Sequence, residues 1–340
     1  MSAVQNSPSS AIQSPSERLA PVPLPENITS VQPGGGICYR IELAWGRWRR
    51  WWLKRFRPQY VRRMAQLRQG DCRGAPHEIL DPRDLKYCRN RVECYWRKQD
   101  DPFAWRDRLP FARWGLAELQ LFGWPLLVLT VLFAWLFWPL AVLGGAALAL
   151  VVYFFRDPPR RTPTEPGVWV SPADGKVVEI TPLEHDPYIG GPAVRVGIFL
   201  SIFSVHLNRS PTAARVIELR YHPGEFRSAT RPESSLRNES MWIGMEEDAP
   251  PYRRFVLRQI SGAIARRIVC ALRPGEVVAQ GEKIGMIKLG SRTELILPKT
   301  EDMQLELAIG QRVKAGQTIV ARWNGNADAC RVGPSVSAER

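Results

Sequence analysis

The longest uncharged stretch of the 340-residue chain contains residues 121–155, which are almost wholly apolar. One straight helix over this stretch would be about 50 Å long, whereas the hydrocarbon core of a bilayer is about 30 Å thick. Pro139 and Gly144-Gly145 interrupt the stretch, and proline is tolerated in the first turn of a new helix. We therefore predict an α-helical membrane hairpin, with a single tilted span as the alternative.

After the hairpin, from Val168 onward, apolar residues come in short runs separated by glycine and proline, as is typical of β-strands. A Gly-x-x-Val-x-x-Gly-x-x-Ile pattern begins at Gly275 and again at Gly310. It is similar to the repeats of biotinyl and lipoyl carrier domains. We therefore expect a mostly β domain over residues 156–325, a flattened β sandwich or barrel of that type, followed by a tail at 326–340.

Gly290-Ser291 lies between two of these runs, Lys283–Leu289 and Thr293–Pro298. The pattern predicts two strands with the Gly-Ser pair at the tip of a hairpin. Glycine allows a close approach to its carbonyl, and the serine hydroxyl lies beside that carbonyl in the chain. If a base removes its proton, the hydroxyl can attack and convert the amide to an ester.

The first third of the chain divides into two segments. Residues 1–36 are rich in Ser, Pro, Gln and Gly, which predicts a disordered tail. Residues 37–115 form a basic, Trp/Arg-rich extension of unknown role, in which Trp and Arg alternate most densely over Trp45–Arg57. This mixture suits an anionic membrane surface. Single-stranded nucleic acid is a weaker alternative, and a solvated basic helix is another.

The net charge of +14 and the pI of about 9.9 favour attraction to an anionic surface. Arginines flank the apolar stretch on both sides, which favours placing both of its ends in the cytoplasm. These flanking residues are Arg106, Arg108, Arg113, Arg156, Arg160 and Arg161. We expect the protein at the cytoplasmic face of the cell membrane.

The six cysteines form no Cys-x-x-Cys pair, and no apolar signal segment opens the chain. We therefore expect reduced thiols in a cytoplasmic setting. Cys72, His77, Cys88 and Cys94 are an alternative zinc set, although their spacing matches none of the usual structural sites.

Three motifs carry a family resemblance. They are Pro-Ala-Asp-Gly-Lys ending at Lys176, Val-His-x-Asn-Arg-Ser-Pro beginning at Val205, and Gly-Ser-Arg beginning at Gly290. Together they closely resemble the phosphatidylserine decarboxylases, over about residues 121–323. Phe203 and Arg292 depart from the longer members of that family and fit its shorter, single-module branch. Ser240 stands where many relatives have arginine.

The resemblance implies that the chain cuts itself between Gly290 and Ser291, and that Ser291 becomes a covalent pyruvoyl group. The products would be fragments 1–290 and 291–340. His206 is the candidate base and Asp174 its orienting partner, by analogy with catalytic triads. Neither pyridoxal phosphate nor a metal would be needed.

The implied reaction turns phosphatidylserine into phosphatidylethanolamine and CO2 through a Schiff base to the pyruvoyl group. The implied partners are phosphatidylserine, the anionic membrane and, as an open point, a second copy of the chain; nucleic acid is not expected. Two alternatives stay open. One is a decarboxylase of another serine-headed phospholipid, and the other is a non-catalytic scaffold anchored in the membrane.

Overall fold

The computed structural model describes residues 18–227, 237–262, 267–288 and 291–324. Within these ranges the α-helices are α1 (Ile37–Phe56), α2 (Pro58–Leu67), α3 (Leu116–Leu136) and α4 (Trp138–Phe154). The strands are β1 (Val168–Val170), β2 (Gly175–Asp186), β3 (Gly191–Leu200), β4 (Leu207–Arg209), β5 (Ala214–His222), β6 (Ser240–Glu247), β7 (Arg254–Ser261), β8 (Arg267–Cys270), β9 (Val277–Val278), β10 (Lys283–Lys288), β11 (Ser291–Pro298), β12 (Met303–Leu305), β13 (Arg312–Val313) and β14 (Ile319–Trp323).

The strands build three antiparallel sheets. The large sheet has the order β13-β2-β3-β11-β7-β6-β5-β9 and curls into a half barrel. The small sheet has the order β4-β10-β8, and the third has the order β1-β14-β12. The main core joins side chains of the large and small sheets, such as Leu200 and Leu295 with Ile284 and Ile268. The prediction of a mostly β domain is confirmed.

Strand β11 lies at the centre of the large sheet, and all eight of its residues are buried. Leu295 and Leu297 point into the main core, whereas Ile296 packs on the opposite face. The predicted hairpin of β10 and β11 is therefore wrong. β10 pairs with β4 and β8, whereas β11 pairs with β3 and β7 and is buried on both of its faces, one of them with Arg292 and Glu294 paired to each other. Residues 289–290 lie outside the described ranges.

Helices α3 and α4 pack against each other as an antiparallel hairpin. A Cβ atom added at Gly144 would meet the hydroxyl of Thr130 at 2.6 Å, so this glycine permits the close approach. Pro139 lies in the first turn of α4, as predicted. The tip of the hairpin is apolar and exposed, with Trp135 93% accessible. By length and composition, the helix Arg113–Leu136 could cross a membrane. Insertion into a membrane remains a prediction.

The segment 18–36 packs along the β domain, so the prediction of disorder is wrong for this part. Ile28 is fully buried in the main core. The amide of Val22 donates to the carbonyl of Ile217 (2.8 Å), and the carbonyl of Val31 accepts from Cys270 (2.9 Å). A few apolar residues spaced among prolines are enough to dock the segment. The rest of the predicted tail, residues 1–17, lies outside the described residues, as does the predicted tail at 326–340.

The N-terminal extension has a small core of its own around Met64, Ile79 and Trp96. A disulfide joins Cys72 to Cys94, which corrects the prediction that all thiols are reduced. It also removes the alternative zinc set, because disulfide sulfurs are not thiolate ligands. Among the described residues, no cluster of three or more His, Cys, Asp or Glu could hold a metal ion.

Candidate active site

Two of the predicted site residues, Ser291 and Asp174, lie at strand ends of the large sheet. β3 ends at Leu200, which pairs with Ser291 at the start of β11. On the other side Ser291 pairs with Ser261, the last residue of β7. Asp174 directly precedes β2, which pairs with β3. Because these strands are antiparallel neighbours, the end of one lies beside the start of the next, at the same end of the sheet.

Ser291 is fully buried, and its hydroxyl has no hydrogen-bond partner within the described part of the chain. The same holds for the hydroxyl of Ser261, its neighbour across the strand pair. A buried polar group without a partner costs about 1–3 kcal/mol, so two side by side are unusual in a core. Because no described side chain is hydrogen-bonded to the Ser291 hydroxyl, this hydroxyl is available as a nucleophile.

His206 lies in the connection from β3 to β4, six residues beyond the partner of Ser291. Nδ1 donates a hydrogen bond to the carbonyl of Ser204 (2.9 Å), and the ring packs on Phe154 at 4.3 Å between centroids. Burial lowers the pKa of His206 to about 4. The imidazole is therefore neutral near pH 7, and with Nδ1 as donor its Nε2 lone pair can accept a proton.

Asn208 connects the small sheet to β11 and was not predicted as a site residue. Its Nδ2 donates to the hydroxyl of Thr293 (2.9 Å), and its Oδ1 accepts from Gln259 Nε2 (2.9 Å). Thr293 is two residues after Ser291, and Asn208 is two residues after His206. The sequence signal was the motif beginning at Val205, which contains both His206 and Asn208, but nothing in it indicated that the asparagine contacts Thr293 and Gln259.

Asp174 does not make the predicted contact with His206. Its Oδ2 accepts from Arg160 (2.8 Å) and its Oδ1 from the amide of Ala315 (2.7 Å), and among the described residues no hydrogen bond joins it to the imidazole. β3 lies between β2 and β11, so their backbones are about 10 Å apart. The nearby buried guanidinium of Arg160 satisfies the carboxylate instead.

Arg292 points to the opposite face of the large sheet from Ser291. It pairs with Glu179 and with Glu294 (2.9 Å), and Glu179 also binds Arg195. Burial alone would raise the pKa of Glu179, but hydrogen bonds from Thr181 and the two arginines bring it down to about 2. This charged cluster holds the first residues of β11 in place on the face of the sheet opposite to Ser291.

Comparisons with known proteins agree with this architecture. The family model for phosphatidylserine decarboxylase matches residues 147–321. A protein of Rhodopirellula baltica named phosphatidylserine decarboxylase proenzyme is 49% identical over 239 residues, which are 70% of this chain and 99% of that protein. Proteins of the same name from Carboxydothermus hydrogenoformans and Chlorobium chlorochromatii are 41% and 46% identical. They match 58% and 52% of this chain, and 91% and 80% of their own lengths.

Proposed function

The chain belongs to the phosphatidylserine decarboxylase family, and on this premise we propose that Ser291 is the residue it converts into a pyruvoyl group. The protein is a carboxy-lyase that releases CO2 from phosphatidylserine and leaves phosphatidylethanolamine. The observation that carries the assignment of Ser291 is its buried hydroxyl at the start of a central strand, for which the described part of the chain offers no hydrogen-bond partner. Gly290, which would provide the attacked carbonyl, lies outside the described residues.

Self-cleavage would begin with the attack of the Ser291 hydroxyl on the carbonyl carbon of Gly290. The C–N bond breaks, an ester forms, and His206 Nε2 takes the hydroxyl proton and passes it to the leaving nitrogen. Loss of the α-proton then expels the carboxylate of Gly290 and leaves dehydroalanine at 291. Water converts its enamine to a ketone and releases ammonia.

The residues around Ser291 fit a small, polar carbonyl group. The hydroxyl of Ser261 has no partner among the described residues, so it can donate a hydrogen bond there, and Thr293, which is bound to Asn208, follows Ser291 on the same face of β11. A pyruvoyl group at this position would supply a ketone that condenses with the amine of the substrate and accepts electrons as CO2 leaves. His206 would return a proton to the α-carbon.

We further propose that α3 and α4 insert into the membrane from the cytoplasmic side. The exposed apolar tip around Trp135 supports this, as do the flanking arginines. Part of that flanking charge is structural, because Arg160 is buried on Asp174 and Arg113 pairs with Asp101 and Asp107. The catalytic domain over residues 156–325 would then lie at the bilayer surface, where its lipid substrate is.

The intact mass of the purified protein tests the cleavage. We expect fragments 1–290 and 291–340. The smaller fragment should be lighter by the mass of ammonia than the same peptide with an N-terminal serine. After treatment with hydroxylamine, it should carry an adduct at its N-terminus. A non-catalytic scaffold would give a single unmodified chain. Decarboxylation by a continuous chain with an unmodified Ser291 would contradict the proposal.

A further inference from the structure

A large cavity lies between the N-terminal extension and the small sheet. It has a volume of about 1060 Å³, and its walls come from α1, the first turns of α3, and strands β8 and β10. Asp174, His206 and Ser291 are not among its lining residues. The cavity is therefore separate from the candidate active site.

Positive charge predominates in this cavity. Ten Lys and Arg residues line it, against five Asp and Glu. Several of these pair, for example Lys98 with Glu282 (3.1 Å). Within the described ranges, the lining arginines that form no ion pair with a carboxylate are Arg83, Arg89, Arg106 and Arg273. Glu276 is the lining carboxylate left to balance them, so the cavity has an excess of uncompensated positive charge.

Arg89 is the most informative of these residues because it is only 2% exposed. Nη1 donates to the carbonyl of Cys270, whereas Nε and Nη2 have no partner in the described chain. Burial lowers the pKa of its guanidinium, and the neighbouring Arg273 acts in the same direction. Glu276 opposes this effect, but no ion pair joins a carboxylate to Arg89 within the described ranges, so a group that supplies negative charge and acceptors would stabilise the buried cation.

We propose that this cavity binds the phosphate group of an anionic phospholipid through Arg89 and Arg273. A guanidinium offers a planar fork of donors that matches two phosphate oxygens. The first turns of α3 and the rings of Trp45, Trp105 and Trp114 also line the cavity. Tryptophan is enriched at the level of lipid headgroups, which favours a lipid over a free phosphate ion. This would be a second lipid site, distinct from the one for the substrate.

Calorimetric titration of the full-length protein in neutral detergent tests the proposal. The probes are short-chain phosphatidylglycerol, phosphatidylcholine with the same chains, and inorganic phosphate. We expect phosphatidylglycerol to bind at least 10-fold more tightly than either of the others. Arg89→Met should weaken that binding at least 10-fold, whereas Arg322→Met, which removes a paired arginine far from the cavity, should leave it unchanged.

Self-cleavage into two fragments reports whether each variant folds, because the cavity contains none of the proposed cleavage residues. If Arg89→Met fails to fold, the half-buried Arg273→Gln replaces it as the test. Equal binding of phosphatidylglycerol by both cavity variants and the wild type would overturn the site. Binding of inorganic phosphate as tight as that of phosphatidylglycerol would overturn the assignment to a lipid.

Discussion

Asn208 donates a hydrogen bond to the hydroxyl of Thr293 (2.9 Å), and this contact joins the small sheet to the strand that begins with Ser291. The amide of Gln259 on β7 donates to the same asparagine (2.9 Å). All three side chains are fully buried. The position of the His206 loop relative to Ser291 thus depends on a small buried amide network rather than on apolar packing alone.

Replacing Asn208 by leucine should disturb the position of the His206 loop relative to Ser291. The change leaves Gln259 and Thr293 without their partner, so we expect the free energy of unfolding to fall by about 1–3 kcal/mol. We also expect self-cleavage to slow by at least 10-fold, measured as the loss of precursor on a gel. Asn90→Ala is the matched control, because it removes two hydrogen bonds to Pro25 and Glu26 away from the site. Wild-type cleavage in Asn208→Leu would show that the network does not position the site.

Ser291→Ala should remain a single inactive chain, because it has no nucleophile to attack Gly290. Ser291→Thr and Ser291→Cys keep a nucleophilic atom and should cleave slowly. Ser261→Ala is the control: it removes the neighbouring buried hydroxyl but should still yield both fragments, which mass spectrometry separates. Two fragments from Ser291→Ala would refute the assignment of the cleavage residue.

The low pKa of His206 predicts the pH dependence of the precursor. Since its folded pKa is about 4 and the ordinary value is 6.5, the neutral base persists down to about pH 5. The rate of self-cleavage should therefore show no titration near pH 6.5. The unfolded chain binds the proton more readily, so the contribution of His206 to stability is present above pH 6.5 and is lost toward pH 4. A cleavage rate that halves near pH 6.5 would argue against a buried neutral base.

Asp174→Asn should impair processing, but through Arg160. Both side chains are largely buried, and removing the charge leaves the guanidinium with Gln317 but without its carboxylate partner. Such a loss costs about 3 kcal/mol, which denaturant unfolding can measure. If Asp174 acts only through this pair, Arg160→Gln should slow cleavage to a similar extent. Slow cleavage in Asp174→Asn with normal cleavage in Arg160→Gln would instead support a direct role of the carboxylate.

Among the described residues, the disulfide between Cys72 and Cys94 leaves Cys38, Cys88 and Cys270 as free thiols, and with Cys330 we expect four. Thiol titration of the denatured, unreduced protein should give that number. Cys72→Ser should destabilise the extension by about 3 kcal/mol, because it opens a loop of 22 residues. Self-cleavage should be unaffected, since the pair lies outside the catalytic domain. A count of six thiols would restore the expectation of a fully reduced protein.

Local patterns predicted the elements better than their partners. The rule that proline fits the first turn of a helix placed Pro139 correctly, and short apolar runs predicted β10 and β11. Pairing is a long-range property, however, and two neighbouring runs look alike whether they form a hairpin or enter different sheets. Only the burial of β11 on both faces distinguishes these cases.

In the candidate site, too, local motifs were easier to predict than long-range contacts. The motifs predicted Ser291, His206 and Asp174 as site residues, and the fold places Ser291 and the residue after Asp174 in strands that both pair with β3. The partner of Asp174 could not be predicted, because Arg160 looked like part of the charge that flanks a membrane segment. The segment 18–36 was missed for a related reason: its average composition is polar, whereas its docking depends on single buried residues such as Ile28.

The central position of β11 determines what a cut before Ser291 would produce. The smaller fragment would begin with β11, whose backbone is hydrogen-bonded to β3 on one side and to β7 on the other. It could leave only if the sheet split into two halves. The mature protein would therefore behave as a permanent complex of two polypeptides, inseparable by salt or dilution, and once separated by denaturant the pieces could not be rejoined into the original chain.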